Sequence, residues 1–349
     1  MATIVIHAGM HKTGSTSIQR WIADNASPLR QEHDVQVLVA ARSVHGDPSH
    51  DIRLVPYQSG AVNSSPAVQN WIVTKQPSAF SRRFIEDLAR FATESAIVLV
   101  TAEDLSYVFS SRDESFLQGF EELAREHDVH VAYYVRPQHS AIEAKWKQSG
   151  YRLRGLSPSE WVLKRAQRWL GYAETLDAVS ELAPHVAFEM RPFVSDLLDG
   201  GNPVEDFARR FLSLDEHGVD VHANPGFPLE LVNVLRHAPE GWFWTRKKLR
   251  AVDRYPRRKI SAVFDGLEIR ESRKIRRSRL ILQQHCHETF EPGNQRLIRR
   301  LGWPIANFVP AADDLEGGWT LDELDGLWSP EASDAERALL YHALRAALT

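Results

Sequence analysis

The residues best suited to chemistry stand near the start of the chain, in His7-Ala8-Gly9-Met10-His11-Lys12-Thr13-Gly14-Ser15-Thr16-Ser17. Two glycines, a lysine and a run of hydroxyl side chains in so short a stretch suit a small anion. Glycine lets the backbone curl until several N–H groups converge on one point. Lys12 adds a mobile cation, and Thr13, Ser15, Thr16 and Ser17 add hydroxyl donors. His11 sits beside the lysine, placed to orient a phosphate or an acceptor. The spacing Gly9-x-x-x-x-Gly14 matches the first half of the nucleotide loop G-x-x-x-x-G-K-[ST]. The second half departs from it. Ser15 stands where that loop keeps its lysine, and the lysine comes earlier, at Lys12.

Such a loop needs a strand to deliver it and a helix to receive it. Residues Thr3 to Ala8 (TIVIHA) read as a buried strand, and Ser15 to Asn25 as a helix with Ile18, Trp21 and Ile22 on one face. The loop then meets a helix start, where the backbone carries partial positive charge. Further apolar runs at 35–39, 96–101, 129–135 and 185–190 read as strands. Helical spacing covers 81–94, 114–127 and 138–148. A long helix is predicted from Pro158 to Leu182, opened by Ser157 and a capping box with Glu160. Residues 41–66, rich in Gly, Pro, Ser and Asp, read as a long irregular connection. Strands alternating with helices predict an α/β fold, a P-loop-like parallel sheet flanked by helices. After about Pro203 the strand pattern fades, and helices are expected over 205–212, 228–237 and much of 244–284. The expected organisation is a nucleotide-binding core over 1–215 and a mostly helical C-terminal extension over 216–349.

Two groups are candidates for a general base. His50 lies in the long connection, in a Ser49-His50-Asp51 context, and is favoured over His45. Glu103 follows the 96–101 strand, at a carboxyl strand edge where α/β proteins collect ligands. Asp104 beside it leaves room for metal assistance. The 129–135 strand ends instead at Arg136, the wrong sign for holding Mg²⁺.

The segment His11-Lys12-Thr13-Gly14-Ser15-Thr16-Ser17 resembles the 5′-phosphosulfate loop of PAPS-dependent sulfotransferases, in particular the bacterial branch with an H-K-T-G-[ST]-[ST]-S loop. The resemblance implies 3′-phosphoadenosine 5′-phosphosulfate (PAPS) as donor and PAP as product, with no metal required. It implies that Lys12, Thr13, Gly14, Ser15, Thr16 and Ser17 hold the 5′-phosphate and bridging oxygen, and that Lys12 stabilises the leaving phosphate. It also matches Arg136, after Tyr133-Tyr134-Val135, to an arginine that grips the donor's 3′-phosphate. A serine usual eight residues later is Ala144 here; Ser140, one turn earlier, is the candidate substitute. Weaker likenesses run through Arg191-Pro192-Phe193, Asn224-Pro225 and Asn294. The implied acceptor is a hydroxyl of a carbohydrate or small metabolite. The alternatives are a P-loop nucleotide kinase or hydrolase, and a nucleotide-binding module of the same fold without turnover.

Composition bounds these readings. The 349 residues are 43% hydrophobic and 25% charged, ordinary for a globular protein. A net charge of −4 argues against a nucleic-acid role, although Arg246 to Arg279 carries fourteen Lys or Arg against four Asp or Glu. No apolar run approaches the roughly 20 residues of a membrane span. The single cysteine, Cys286, fits a reducing compartment, and a cytoplasmic location is expected. His285-Cys286-His287 invites a metal reading, but residues two apart on a helix point to different sides. Trp146, Trp161, Trp169, Trp242 and Trp244 offer a stacking shelf; core packing is the commoner role for such residues.

Overall fold

A computed structural model describes residues 1–10, 13–42, 52–60, 77–150, 156–164, 169–216, 232, 273–303 and 320–328. The chain forms two compact units. One comprises Met1–Pro137, Arg168–Ala223 and Gly293–Phe308; the other comprises Gln138–Gln167, Asn224–Pro292 and Val309–Thr349. This division interleaves along the sequence.

The first unit is built on six strands: β1 (Thr3–His7), β2 (Val35–Arg42), β3 (Ile52–Pro56), β4 (Ile97–Thr101), β5 (Asp128–Val135) and β6 (Ala187–Pro192). They lie in the order β3-β2-β4-β1-β5-β6. All neighbours are parallel except β2 and β3. This is the α/β sheet expected from the sequence. β1 sits near the centre. The chain leaves β1 toward β2 on one side and leaves β4 toward β5 on the other, so β1 and β4 flank a topological switch point. In open α/β sheets, ligands bind in the crevice beyond the carboxyl ends of such strands.

Helices cover both faces. On one, α1 (Ser15–Asp24), α2 (Ala26–His33) and α9 (Pro203–Leu212) bury Ile18, Trp21, Ile22, Leu29, Phe207 and Phe211 against Val5, Val37, Leu99 and Tyr134. On the other, α4 (Leu105–Ser111) and α5 (Glu114–Glu126) place Phe109, Phe116 and Phe120 in an aromatic cluster with Tyr133 and Phe188. Tyr133 and Tyr134 serve opposite faces because successive strand side chains alternate. Burial on both faces explains the unbroken apolar runs of β1, β4 and β5.

Strand β3 falls inside the segment read as irregular from sequence. Its apolar signal is short, with Arg53 and Pro56 exposed beside buried Leu54. What holds it is tertiary. Asp87, on α3 (Pro77–Ala92) and only 1% exposed, takes both Arg53 Nε and Nη2 and the Leu54 N–H at 2.8 Å. The predicted helix from Pro158 to Leu182 is instead two helices, α7 (Pro158–Lys164) and α8 (Tyr172–Leu182). Gly171, at φ −78° and ψ 71°, breaks the helical path and starts the second, its carbonyl accepting from the Thr175 hydroxyl and amide. The capping box is present: the Glu160 amide donates to Ser157 Oγ, and the Ser157 amide donates to Glu160 Oε2.

The second unit includes α6 (Gln138–Ser149), α7, most of α10 (Arg273–Leu301) and α11 (Glu323–Leu327). Among its described residues, Trp146 packs against Trp161 and Trp328, with ring centroids 5.4 and 5.1 Å away. Trp146 and Trp161, offered by the sequence as a stacking shelf, are buried packing residues here. Asp325 takes the amide and hydroxyl of Ser159 at 2.9 Å each. At the described end of the basic run, Arg279 forms a forked pair with Glu143 and Arg277 pairs with Glu323. Among the described residues, no helix is long and apolar enough to cross a membrane.

Candidate functional site

The parallel register brings the ends of three strands together. His7 of β1 lies opposite Thr101 of β4 and Ala132 of β5. Beyond β1 the chain stays extended beside β5, with Ala8 N–H bonded to the Ala132 carbonyl and Met10 N–H to that of Tyr134. Met10 therefore rises along the strand that delivers Arg136, the first residue past β5. On the other side, Ala102 N–H bonds to the His7 carbonyl and leads into Glu103 and Asp104.

The loop closes onto α1 through Gly14. Its φ of +76° is left-handed, a conformation that disfavours any side chain. A methyl group at Gly14 would also lie 2.5 Å from Pro203 Cγ and 2.9 Å from Phe193 Cε2. Glycine is thus required twice, by torsion and by space. The Gly14 carbonyl accepts from the Ser17 and Ile18 amides, which starts the helix. Ser15 and Thr16 open the helix ahead of these bonds, and the first-turn amides of a helix are the usual basis of an anion site.

Each hydroxyl of the loop has its own environment. Thr13 is fully buried and donates to the Met10 carbonyl at 2.5 Å, so it shapes the loop from within. Ser15, 2% exposed, donates to Glu103 Oε1. Thr16 is exposed and Ser17 is buried. Glu103 is half-buried, and Asp104 beside it is buried. The loop and the end of β4 are therefore joined through one hydroxyl–carboxylate contact at the switch point. Arg136 is half-buried, and its carbonyl accepts from the Tyr172 hydroxyl at 3.0 Å. Ser140 is half-buried on α6, in the second unit. His11, Lys12 and His50 lie outside the described residues.

A group that sequence reasoning passed over lies beneath the loop. His7 is the last residue of β1 and is fully buried. Its Nδ1 is 2.8 Å from Thr101 Oγ1, and Gln19 Nε2 donates to the same oxygen at 3.4 Å. Tyr134 and Phe207 meet its ring edge-on. Burial lowers the His7 pKa to about 4, against the opposing pull of Glu103, so the imidazole is neutral near pH 7. The available signal was a histidine closing an otherwise apolar strand, with Gln19 one turn past Ser15.

A second network braces the loop from behind. Asp206 of α9 is fully buried and takes the Tyr134 hydroxyl at 2.7 Å, a forked contact from Arg191 and the Asp199 amide. Arg191 lies two residues before Phe193, and Asp206 three after Pro203, so this network holds the segments that carry the two side chains beside Gly14. Asn202 caps the same helix by accepting the Val204 and Glu205 amides.

Among the described residues, no group of three or more His, Cys, Asp or Glu side chains is placed to hold a metal ion. Cys286 is buried, which raises its thiol pKa. Compared with known proteins, the chain matches no family model, no curated protein and no solved structure.

Proposed function

We propose that this protein transfers a sulfuryl group from PAPS to a hydroxyl of a carbohydrate or small-metabolite acceptor. The observation that carries the reading is the left-handed turn at Gly14, which sets the start of α1 at the sheet's switch point with Ser15 in contact with Glu103. It is supported by the position of Lys12, two residues before Gly14 rather than after it. Lysine after the glycine suits a nucleoside triphosphate; here the ammonium group precedes the turn.

In the proposed reaction, the acceptor oxygen attacks sulfur in line with the bridging oxygen. The new O–S bond forms as the bridging S–O bond breaks, and the electron pair leaves on the 5′-phosphate of PAP. Lys12 and the amides at the start of α1 stabilise that growing charge. The acceptor proton passes to a base near sulfur, Glu103 or His50. Glu103 stands on the same sheet edge as the loop, which suits it to this role. Arg136, emerging beside the loop from β5, is suited to the 3′-phosphate.

A second reading, a metal-dependent nucleotide hydrolase or kinase, is favoured by one observation. The acidic pair Glu103 and Asp104 follows the strand next to β1, where a magnesium-holding acid would stand. Two assays separate the readings. Label transfer from [³⁵S]PAPS to a panel of carbohydrate and phenolic acceptors in EDTA, lost in Lys12→Ala, is the outcome expected of the sulfotransferase. Phosphate release from ATP that requires Mg²⁺, with no label transfer, would establish the alternative. A third reading, binding without turnover, predicts PAP binding with no transfer to any acceptor.

A further inference from the structure

One hydroxyl of the loop is already committed. Ser15 is the first residue of α1, only 2% exposed, and its Oγ donates to Glu103 Oε1. A serine hydroxyl has one hydrogen to give, and its remaining capacity is to accept. An ionised phosphate offers only acceptors. While Ser15 donates to Glu103, it therefore cannot also donate to a 5′-phosphate.

Both partners of this contact are held by their own surroundings. On the loop side, Gly14 precedes Ser15 with a φ of +76°, and Pro203 and Phe193 close on it. On the strand side, Ala102 N–H bonds to the His7 carbonyl. The Glu103 carbonyl then accepts the Ser106 amide at 3.0 Å and the Ser106 hydroxyl at 2.6 Å, and Ser106 is buried. Glu103 is thus fastened at its backbone by the first turn of α4 and at its carboxylate by α1. The next hydroxyl residue of the loop, Thr16, is exposed.

We infer that Ser15 is a positioning residue for Glu103, the base of the transfer, and not a contact to the 5′-phosphate. The inference rests on the sulfuryl-transfer reading given above. It goes beyond that reading by choosing Glu103 over His50 and by taking Ser15 out of the set that holds phosphate. A carboxylate accepts at two oxygens, so a bond at Oε1 sets its orientation without using up its capacity. Glutamate has much rotamer freedom to lose, and a base already held in place meets the reacting hydroxyl at a smaller entropic cost. As the O–S bond forms and the bridging S–O bond breaks, the acceptor O–H bond breaks and its proton passes to the Glu103 carboxylate. Ser15 touches neither donor nor acceptor; it acts through Glu103.

Single-turnover transfer from [³⁵S]PAPS and calorimetric titration of PAP, both in EDTA, separate rate from affinity. Ser15→Ala is expected to slow transfer about tenfold, the equivalent of one hydrogen bond to a charged group, with PAP affinity within about threefold of the wild type. Ser15→Thr keeps the hydroxyl and is expected to restore the rate. In a Glu103→Gln background, Ser15→Ala is expected to cost no further rate, because both changes act through one group. Weaker PAP binding by Ser15→Ala at an unchanged rate would make Ser15 a phosphate contact. Equal rate losses in both backgrounds would make it a structural residue, and an unaltered rate in Glu103→Gln would remove its base. Each of these overturns the inference and leaves the nucleotide site standing. No PAP binding by the wild type removes the nucleotide site and the inference together. A crystal structure of the unaltered chain with PAP covers the case in which a variant does not fold. Ser15 Oγ is expected within hydrogen-bond distance of Glu103 and not of the 5′-phosphate; the reverse overturns the inference.

Discussion

Gly14→Ala probes the turn on which the site depends. The residue has φ +76°, and an L side chain in that region costs about 1–2 kcal/mol. The new methyl would also lie 2.5 Å from Pro203 Cγ and 2.9 Å from Phe193 Cε2. Neither neighbour yields easily. Pro203 is a ring in the first turn of α9, and Phe193 follows β6 directly. Overpacking of this kind costs about 1–3 kcal/mol. The expected loss is therefore about 2–5 kcal/mol. Gly201 supplies the control, because its φ is +74° and a methyl there meets nothing within 4 Å. Gly201→Ala carries the torsional cost alone. Both substitutions restrict the unfolded chain alike, so that contribution cancels in the difference. Urea unfolding followed by circular dichroism should show Gly14→Ala less stable than Gly201→Ala by about 1–3 kcal/mol at unchanged m-value. Losses that agree within about 0.5 kcal/mol would refute the close approach of Phe193 and Pro203 to the turn.

Three further outcomes follow from the same network. His7 has a folded pKa of about 4 against 6.5 unfolded, so the unfolded chain takes the proton first as pH falls. The stability it supplies is full above pH 6.5 and is lost between 6.5 and 4, about 3 kcal/mol in all; urea midpoints across that range should fall more steeply for wild type than for His7→Gln, and parallel slopes would contradict this. Asp206→Ala leaves the Arg191 guanidinium without its buried counter-charge and should cost about 3–5 kcal/mol. Tyr134→Phe should cost about 1 kcal/mol; a double-mutant cycle should show the two losses to be non-additive, because they remove the same 2.7 Å hydrogen bond. Finally, if Glu103 is the base, Glu103→Gln should slow single-turnover transfer by about 10²–10⁴ with PAP affinity nearly unchanged. An unaltered rate would give the role to His50.

The sequence made the central part of this arrangement legible. The run TIVIH, the two glycines and the Ile18, Trp21, Ile22 face foretold β1, the loop and α1, because periodicity and glycine placement are local signals. Strands β4 and β5 were equally plain, being largely apolar runs. Strand β3 was not, since its place depends on Asp87, a residue more than thirty positions away whose carboxylate binds its backbone. The division into α7 and α8 was hidden by a helical sequence pattern; Gly171 marks the start of α8. At the site, the sequence singled out Ser15 and Glu103 separately, but their contact arises from strand order. His7 was read as one more strand residue. Its surroundings come from separate elements, Thr101 of β4, Tyr134 of β5 and Phe207 of α9, which no spacing rule connects.

The central claim is that the loop ending at Gly14 holds a sulfated adenine nucleotide through backbone amides and Lys12. Calorimetric titration of PAP in EDTA, with wild type and Lys12→Ala side by side, addresses it most directly. Saturable PAP binding without metal, weakened at least about tenfold in Lys12→Ala, is the predicted result. Binding of ATP only in the presence of Mg²⁺, with no heat from PAP, would contradict it.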